Sequence, residues 1–441
     1  MSNFLVIKNK IKSFNKSIDV SGDKSISIRW VLMSSLASGI SKAKNLLLSE
    51  DVLAAIKIVK KLGIQTKFKN KECWIYGKGF NGYKYKKKLL LDAKNSGTLG
   101  RLLLGLIINT PYPIKLIGDR SLSKRDFTRI SKPLTKFGVK FKLKNNKNLP
   151  LTIYGSKNLK PIRYFENLGS AQCKSSVIFA GMRANGTTII KAKKSRNHTE
   201  LLSKYLKLPI KIKQNKKYDV IEVRKVKNIK KLKYNIPSDI SSSAFFLVLT
   251  TLSNESKLII RNVNINPTRI GIIHILKKMG VKIVLNNKKN YKGEETADIK
   301  IKSTNSLKAI NCPIKYNSGA IDEFLLIFLV AAKAKGISYF KDLGELNQKE
   351  SPRLIWGSKI LNKMGVKNIV TKDSIKIFGN PELKIKKNII IKNYLRDHRV
   401  FMTSVIAALS FGGSWKIYDK DSFQTSFPNF LKIINNLRKN D

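Results

Sequence analysis

Four stretches of the chain repeat one pattern of apolar and polar positions: IVKKLGIQTKF, PLTKFGVKFKL, ILKKMGVKIVL and ILNKMGVKNIV. In each, apolar residues at helical spacing run up to a glycine, and apolar and polar residues then alternate. The pattern predicts a helix closed by a left-handed glycine at Gly63, Gly138, Gly280 and Gly365, followed by a strand. These glycines are 75, 142 and 85 residues apart, and the long middle interval predicts a further unit near residue 208. There, LSKYLKLPIKIK has Leu208-Pro209 in the place of the glycine. FLKIINNLRK supplies a last helix one interval beyond Gly365. The chain is therefore expected to hold six helix-and-strand units of roughly 70 residues, too long for solenoid turns. Six divide into two lobes of three, with a crossover expected at YNIPSDISSS, residues 234 to 243, where Pro237 and a run of serines interrupt the pattern. A cleft between two lobes is the default place for a ligand.

Composition narrows this picture. A chain of 441 residues with 42% hydrophobic content has material for more than one core. No apolar run reaches the roughly 18 residues of a membrane span. The start, MSNFLVIKNK, lacks the apolar stretch of a secretory signal. Cys73, Cys173 and Cys312 are odd in number and far apart, which argues against a disulfide framework and fits a reducing cytoplasm. His198, His274 and His398 do not cluster with the cysteines, so no zinc site is expected. The formal charge of +59, taken alone, points to nucleic acid or an anionic membrane. The excess is spread along the chain, however, and only 15 of the 87 basic residues are arginine. The lysines read as solvated surface, and each arginine is the more telling group, because its planar fork grips carboxylate and phosphate as lysine does not.

The candidate chemistry sits in short polar runs at the starts of apolar helices. In GDKSISIR, residues 22 to 29, Asp23 or Ser25 can cap a helix; the free N–H groups there, with Lys24, Ser25 and Arg29, equally suit an anion. NSGTLGR, residues 95 to 101, is either an N-cap or a turn in which Gly97 lets a ligand approach the backbone, with Arg101 one turn on. GDRSLSKRDFTR places Arg120, Arg125 and Arg129 within twelve residues. GSAQCKSS, residues 169 to 176, combines small residues, an amide and Lys174; Cys173 within it reads as a buried structural cysteine. SRNHTE adds Arg196 and His198. Asp322 and Glu323 open an apolar helix, either serving its dipole or supplying a general base. KESPR packs Lys349, Glu350 and Arg353 together, a carboxylate between two cations. Arg399 opens a last apolar helix that Asp397 or Asn393 can cap. Several such helix starts facing one cleft suit a small polyanion rather than the edge of a duplex.

The series GDKSISIR, NSGTLGR, GDRSLSKR, GSAQCKSS, SRNHTE, NPTR, AIDE, KESPR, DHR and TSFPNF, in this order, resembles the 5-enolpyruvylshikimate-3-phosphate (EPSP) synthase family, in the branch with SRxHTE and TSFP motifs. The resemblance spans nearly the whole chain. It implies an α/β fold of two similar domains, each an inside-out barrel of three βαβαββ units. The implied division is residues 1–21 with 238–441, and residues 22–237, with the active site in the cleft between them. The implied reaction moves the enolpyruvyl group of phosphoenolpyruvate to the 5-hydroxyl of shikimate 3-phosphate and releases phosphate. A cytoplasmic monomer using no metal and no organic cofactor is expected. Lys24, Ser25, Arg29, Ser170, Gln172, Asp322 and Lys349 are implied to hold shikimate 3-phosphate, with Arg196 adding to the phosphate site. Lys24, Gly97, Arg125, Gln172, Arg353 and Arg399 are implied to hold phosphoenolpyruvate. Asp322 is the implied base for the 5-hydroxyl. Glu350 is implied to protonate the methylene carbon and later deprotonate the methyl, with Lys349 and Lys24 stabilising charge around a tetrahedral phosphate ketal.

Three positions depart from the family pattern. Pro352 stands where Asp is usual and is expected to shift Arg353. Asp126 stands where Pro commonly follows the arginine, and a carboxylate there is expected to weaken the anion contact of Arg125. Ser426 stands where another branch has lysine. Gly97 leaves room at the phosphoenolpyruvate site, so glyphosate, an inhibitor of the family, is expected to bind. A sister transferase acting on a UDP-amino sugar shares the architecture but typically carries a reactive cysteine, and GDRSLSKRDF has none. A nucleic-acid-binding protein would need basic stripes interleaved with aromatic rings. An inactive homologue has only Pro352 and Asp126 in its favour.

Overall fold

The computed structural model describes residues 3–69 and 72–439. The chain divides into two compact units. The terminal unit takes the chain up to Ser21, Pro237–Tyr291 and the chain from Glu295 onward. The inserted unit takes Gly22–Ile236 and three further residues, Lys292–Glu294. Pro237 thus falls with the terminal unit, one residue from the expected division, and the excursion at Lys292–Glu294 has no counterpart in the sequence pattern.

Eight helices carry the candidate residues of the two units. In the inserted unit they are α1 (Lys24–Ser35), α2 (Gly97–Leu106), α3 (Ala171–Gly181) and α4 (His198–Tyr205). In the terminal unit they are α5 (Ile240–Leu252), α6 (Phe324–Lys333), α7 (Arg353–Met364) and α8 (His398–Phe411). The sequences of α5 and α6, ISSSAFFLVLTTL and FLLIFLVAAK, are apolar nearly all round, and both helices are buried almost throughout. Serine and glycine let the inserted unit's helices pack as closely. A Cβ added to Gly105 in α2 would lie 2.1 Å from the Ser176 carbonyl oxygen of α3, so the two backbones touch. TSFPNF serves the core: Phe427 packs edge-on and Phe430 tilted against Phe246, with ring centroids 5.9 and 6.1 Å away.

Among the described residues, four of the six small sheets share one strand order. In the inserted unit, Leu89–Asp92 pairs parallel with Ile114–Ile117, which runs antiparallel to Asn148–Tyr154, which in turn pairs with Lys140–Lys144. The same order, one parallel pair and two antiparallel pairs, holds for the sheet of Arg163–Glu166, Thr187–Lys193, Tyr218–Arg224 and Ile210–Gln214. It holds again for Lys233–Asn235, Ser38–Lys44, Glu72–Lys78 and Gln65–Lys69. In the terminal unit Asn15–Ile18 pairs parallel with Lys257–Asn264, and that strand runs antiparallel to Glu294–Lys302, whose other neighbour is Ile283–Tyr291. The two remaining sheets have three strands each.

Gly63, Gly138, Gly280 and Gly365 all have positive φ, from 81° to 100°, at the ends of helices as the pattern predicts. Near residue 208 the left-handed position falls on Lys207, with φ 54°, just ahead of Leu208-Pro209. The lysine excess follows strand alternation. In KFKLK, residues 140–144, the three lysines are exposed and Phe141 and Leu143 half-buried. Among the described residues no helix is long and apolar enough to cross a membrane.

Candidate active site

In the inserted unit the starts of α1, α2, α3 and α4 are linked by their own polar side chains. Asp23, not Ser25, caps α1: its carboxylate accepts from the Ile26 N–H at 2.9 Å. That leaves Ser25 half-exposed at the helix start beside Lys24, whose Nζ lies 3.2 Å from Asp51 Oδ2. Arg29, one turn on, is buried and held on three sides. It donates to the Ser25 carbonyl at 3.0 Å, to Thr199 Oγ1 on α4 at 2.7 Å and to Ser175 Oγ on α3 at 3.1 Å. Burial pulls its guanidinium down to about 10, against the carboxylates of Glu200, Asp23 and Glu294. It therefore remains a cation at neutral pH, set beneath Ser25.

Ser96 caps α2, accepting from the Leu99 N–H, and puts Gly97 first in the helix. A Cβ on Gly97 would stand 2.8 Å from Arg125 Nη1, so the missing side chain is what admits the arginine. Gln172, second in α3, is fixed at both ends of its amide. It donates to Thr98 Oγ1 at 3.0 Å and accepts from Arg101 Nη1. Ser170 caps α3, accepting from the Cys173 N–H at 3.3 Å. Its own N–H is taken by Glu166, a fully buried carboxyl that burial pushes up. Burial also pushes the Cys173 thiol up, which agrees with a structural cysteine. Asp126 accepts from the Thr128 N–H and hydroxyl at 2.7 and 2.6 Å. Burial raises its carboxyl, but those bonds and the charges of Lys147 and Arg129 outweigh it and hold it below its usual value. Asp126 thus serves the start of the helix Thr128–Thr135. Replacing Gly97 with alanine should displace the Arg125 tip while leaving the fold intact. The expected result is roughly tenfold weaker binding of a small carboxylate or phosphate anion at Arg125 with an unchanged urea midpoint; unaltered anion affinity would count against it.

The terminal unit gathers Asp322, Lys349, Glu350, Arg353 and Arg399 into one network. Arg353 opens α7 directly after Pro352, whose missing N–H costs nothing at a helix start. Its guanidinium meets three carboxylates: Asp397 at 2.9 Å, Asp322 at 3.3 Å and Glu350 at 2.5 Å. Burial works against that charge, but Asp397, Glu350 and Asp322 outweigh it and hold the guanidinium above its ordinary value. Lys349 Nζ lies 3.5 Å from the same Asp322 oxygen that faces Arg353. Arg399 donates to the Asp322 carbonyl at 3.0 Å and lies 3.6 Å from Glu323.

Further residues support the candidate groups of the two units; the sequence shows Arg101 and Glu323 within its polar runs, and Asp397 only as a cap. Asp397 caps α8 through the Arg399 N–H and also accepts from Ser351 N–H and hydroxyl and from two nitrogens of Arg353. Glu323, fully buried, accepts from the Ser241 hydroxyl, which also receives Arg269 of NPTR at 2.8 Å. Arg101 positions Gln172. Ser195, beside Arg196, is buried with a hydroxyl that meets no hydrogen-bond partner among the described residues. Only the local spacings of these residues could have pointed to them, since their partners lie tens of residues away.

Each unit thus presents helix starts that carry fixed cations, and the terminal unit adds carboxylates able to move protons. Over 99% of this chain the fold is shared with the enolpyruvyl transferase NikO from Streptomyces tendae, at a TM-score of 0.77 and 13% identity, which speaks for the fold alone. The match narrows further. The family model for EPSP synthase (3-phosphoshikimate 1-carboxyvinyltransferase) matches residues 8–434, and the chain belongs to that family. A 3-phosphoshikimate 1-carboxyvinyltransferase from Ruthia magnifica subsp. Calyptogena magnifica is 40% identical over 100% of this chain and 99% of its own length. One from Caldicellulosiruptor bescii is 37% identical over 96% of each. The solved EPSP synthase from Acinetobacter baumannii superposes with a TM-score of 0.86 at 33% identity, covering 98% of this chain and 97% of its own.

Proposed function

We propose that the chain transfers the enolpyruvyl group of phosphoenolpyruvate to the 5-hydroxyl of shikimate 3-phosphate, and that its two clusters divide the work. Family membership across residues 8–434 supports the reaction. The observation that carries the division is the Arg353 network, where both candidate proton-transfer carboxylates, Asp322 and Glu350, share one buried arginine. The pairing scheme, recurring in the inserted unit's three sheets and found once in the terminal unit, supports reading the units as inside-out α/β barrels of three βαβαββ repeats. A cytoplasmic monomer belongs to the same reading.

Both substrates are anions and repel each other, so fixed cations must hold them together. Lys24, Ser25, Ser170, Gln172, Arg196 and Ser195 take shikimate 3-phosphate, with Arg29 beneath Ser25. Arg125, beside Gly97, takes phosphoenolpyruvate together with Lys24, Gln172, Arg353 and Arg399. Asp322, oriented by Lys349 and Arg353, accepts the proton of the 5-hydroxyl as the oxygen attacks C2. Glu350 gives a proton to C3, and the phosphate ketal forms. Glu350 then removes a proton from the new methyl group as the C–O bond to phosphate breaks. Glu350 pairs with Arg353. The substrate carboxylate competes for that arginine, which frees Glu350 to hold and move the proton.

The test is phosphate release on mixing both substrates, with the enolpyruvyl product identified by mass. Glyphosate should compete with phosphoenolpyruvate; inhibition that ignores phosphoenolpyruvate concentration would contradict the Gly97–Arg125 assignment. The surface does carry lysines stacked on rings, such as Lys191 over Phe165 and Tyr218. Each of these rings already has a lysine ammonium over its face.

A further inference from the structure

Between the strands Ile283–Tyr291 and Glu294–Lys302, the hairpin tip Lys292–Glu294 belongs to the inserted unit. Its three residues follow one face of α4. Glu294 Oε1 lies 2.7 Å from Nδ1 of His198, the first residue of α4, and both side chains are buried. Gly293, with φ 87°, passes so close to Leu201 that an added Cβ would lie 3.1 Å from its carbonyl oxygen. Lys292 lies over the ring of Tyr205, the last residue of α4, at 5.3 Å, and over Tyr234 at 5.6 Å, and its Nζ donates to the Lys233 carbonyl. His198, Leu201 and Tyr205 stand at spacings of three and four, one stripe of the helix.

The first turn of α4 is anchored at three successive residues. His198 meets Glu294, Thr199 accepts from Arg29 and donates to Ser175, and Glu200 pairs with the fully buried Lys174 at 2.7 Å. Thr199 and Glu200 are thereby tied to α1 and α3. His198 has its anchor in the hairpin tip. It is also nearest to Ser195 and Arg196, which lead into the helix. Resting on the shikimate 3-phosphate reading given above, we infer that Lys292–Glu294 splints α4, and that Glu294, through His198, is a positioning residue that sets Ser195 and Arg196 for the substrate phosphate.

Calorimetric titration of the full chain with shikimate 3-phosphate, together with steady-state kinetics, tests this. Glu294→Ala should weaken shikimate 3-phosphate binding roughly tenfold. Its kcat at saturating shikimate 3-phosphate and its KM for phosphoenolpyruvate should stay within about twofold. Glu294→Gln, which keeps an oxygen in reach of Nδ1–H, should restore most of the affinity. His198→Ala should match Glu294→Ala, and the double variant should be no worse than either. Undiminished affinity in a folded Glu294→Ala, equal losses for both substrates, or additive effects in the double variant would overturn the inference. Should Glu294→Ala fail to fold, His198→Phe, which keeps a ring and removes the Nδ1–H, decides, and unaltered affinity there overturns it as well. A wild-type chain that binds no shikimate 3-phosphate would instead overturn the functional reading itself.

Discussion

Glu350→Gln is expected to lower turnover by roughly 10²–10⁴-fold, the range of a lost general acid–base group. Glutamine preserves the shape of the side chain and can still accept the Arg353 Nη2–H that Glu350 takes at 2.5 Å. What it cannot do is carry a proton to C3 and take one back. Affinity for both substrates should therefore change by no more than about threefold, which separates this variant from one that breaks the network. Isotope exchange gives a second reading. If C3 becomes a methyl group before a proton leaves, solvent deuterium enters the methylene of recovered phosphoenolpyruvate and of product. That incorporation should vanish in Glu350→Gln. Turnover within tenfold of wild type, or undiminished deuterium incorporation, would remove Glu350 from the proposed role.

The sequence shows some of this arrangement and hides the rest, and the difference is one of range. A left-handed glycine after a run of helical periodicity is a local signal, and Gly63, Gly138, Gly280 and Gly365 all take positive φ. Lys207 escapes the pattern because a non-glycine residue holds the same conformation there. The apolar character of α6 is local as well, and it leads to burial on every side. The Glu350–Arg353 pair spans three residues and is legible in KESPR. Asp397 looks like an ordinary cap within DHR, and it is one. Its second task, clamping Arg353, depends on a partner 44 residues earlier that no periodicity announces. Glu294 and His198 are 96 residues apart, and nothing in EETADIKIK marks its first glutamate as an anchor. Asp126 shows the opposite lesson. Adjacency to Arg125 suggests repulsion of an anion, while the backbone turns its carboxylate to Thr128.

Asp397 is where stability and activity meet, and Asp397→Asn should reduce both. The native carboxylate is fully buried and accepts from Arg353 at 2.9 and 3.1 Å. Removing its charge leaves a buried guanidinium with Glu350 and Asp322 alone, and breaking a buried pair in this way costs about 3–5 kcal/mol. The urea midpoint at neutral pH should fall accordingly, and the KM for phosphoenolpyruvate should rise as Arg353 loses its clamp. Burial raises the Asp397 carboxyl, but Arg353 outweighs it, so the folded-state pKa lies below the ordinary carboxylate value. A depressed carboxyl contributes stability above its unfolded pKa of about 3.9 and loses it as pH falls through the folded value. The wild-type chain should therefore lose its advantage over Asp397→Asn as acid is added, with the two urea midpoints converging below about pH 4. A gap that stays constant from pH 7 into acid would show that the Asp397 charge is not what holds Arg353, and that the clamp works by hydrogen bonding alone. Equal midpoints at pH 7 would go further and remove the clamp from the mechanism, leaving Arg353 to be placed by Asp322 and Glu350, the two groups that the reaction must disturb.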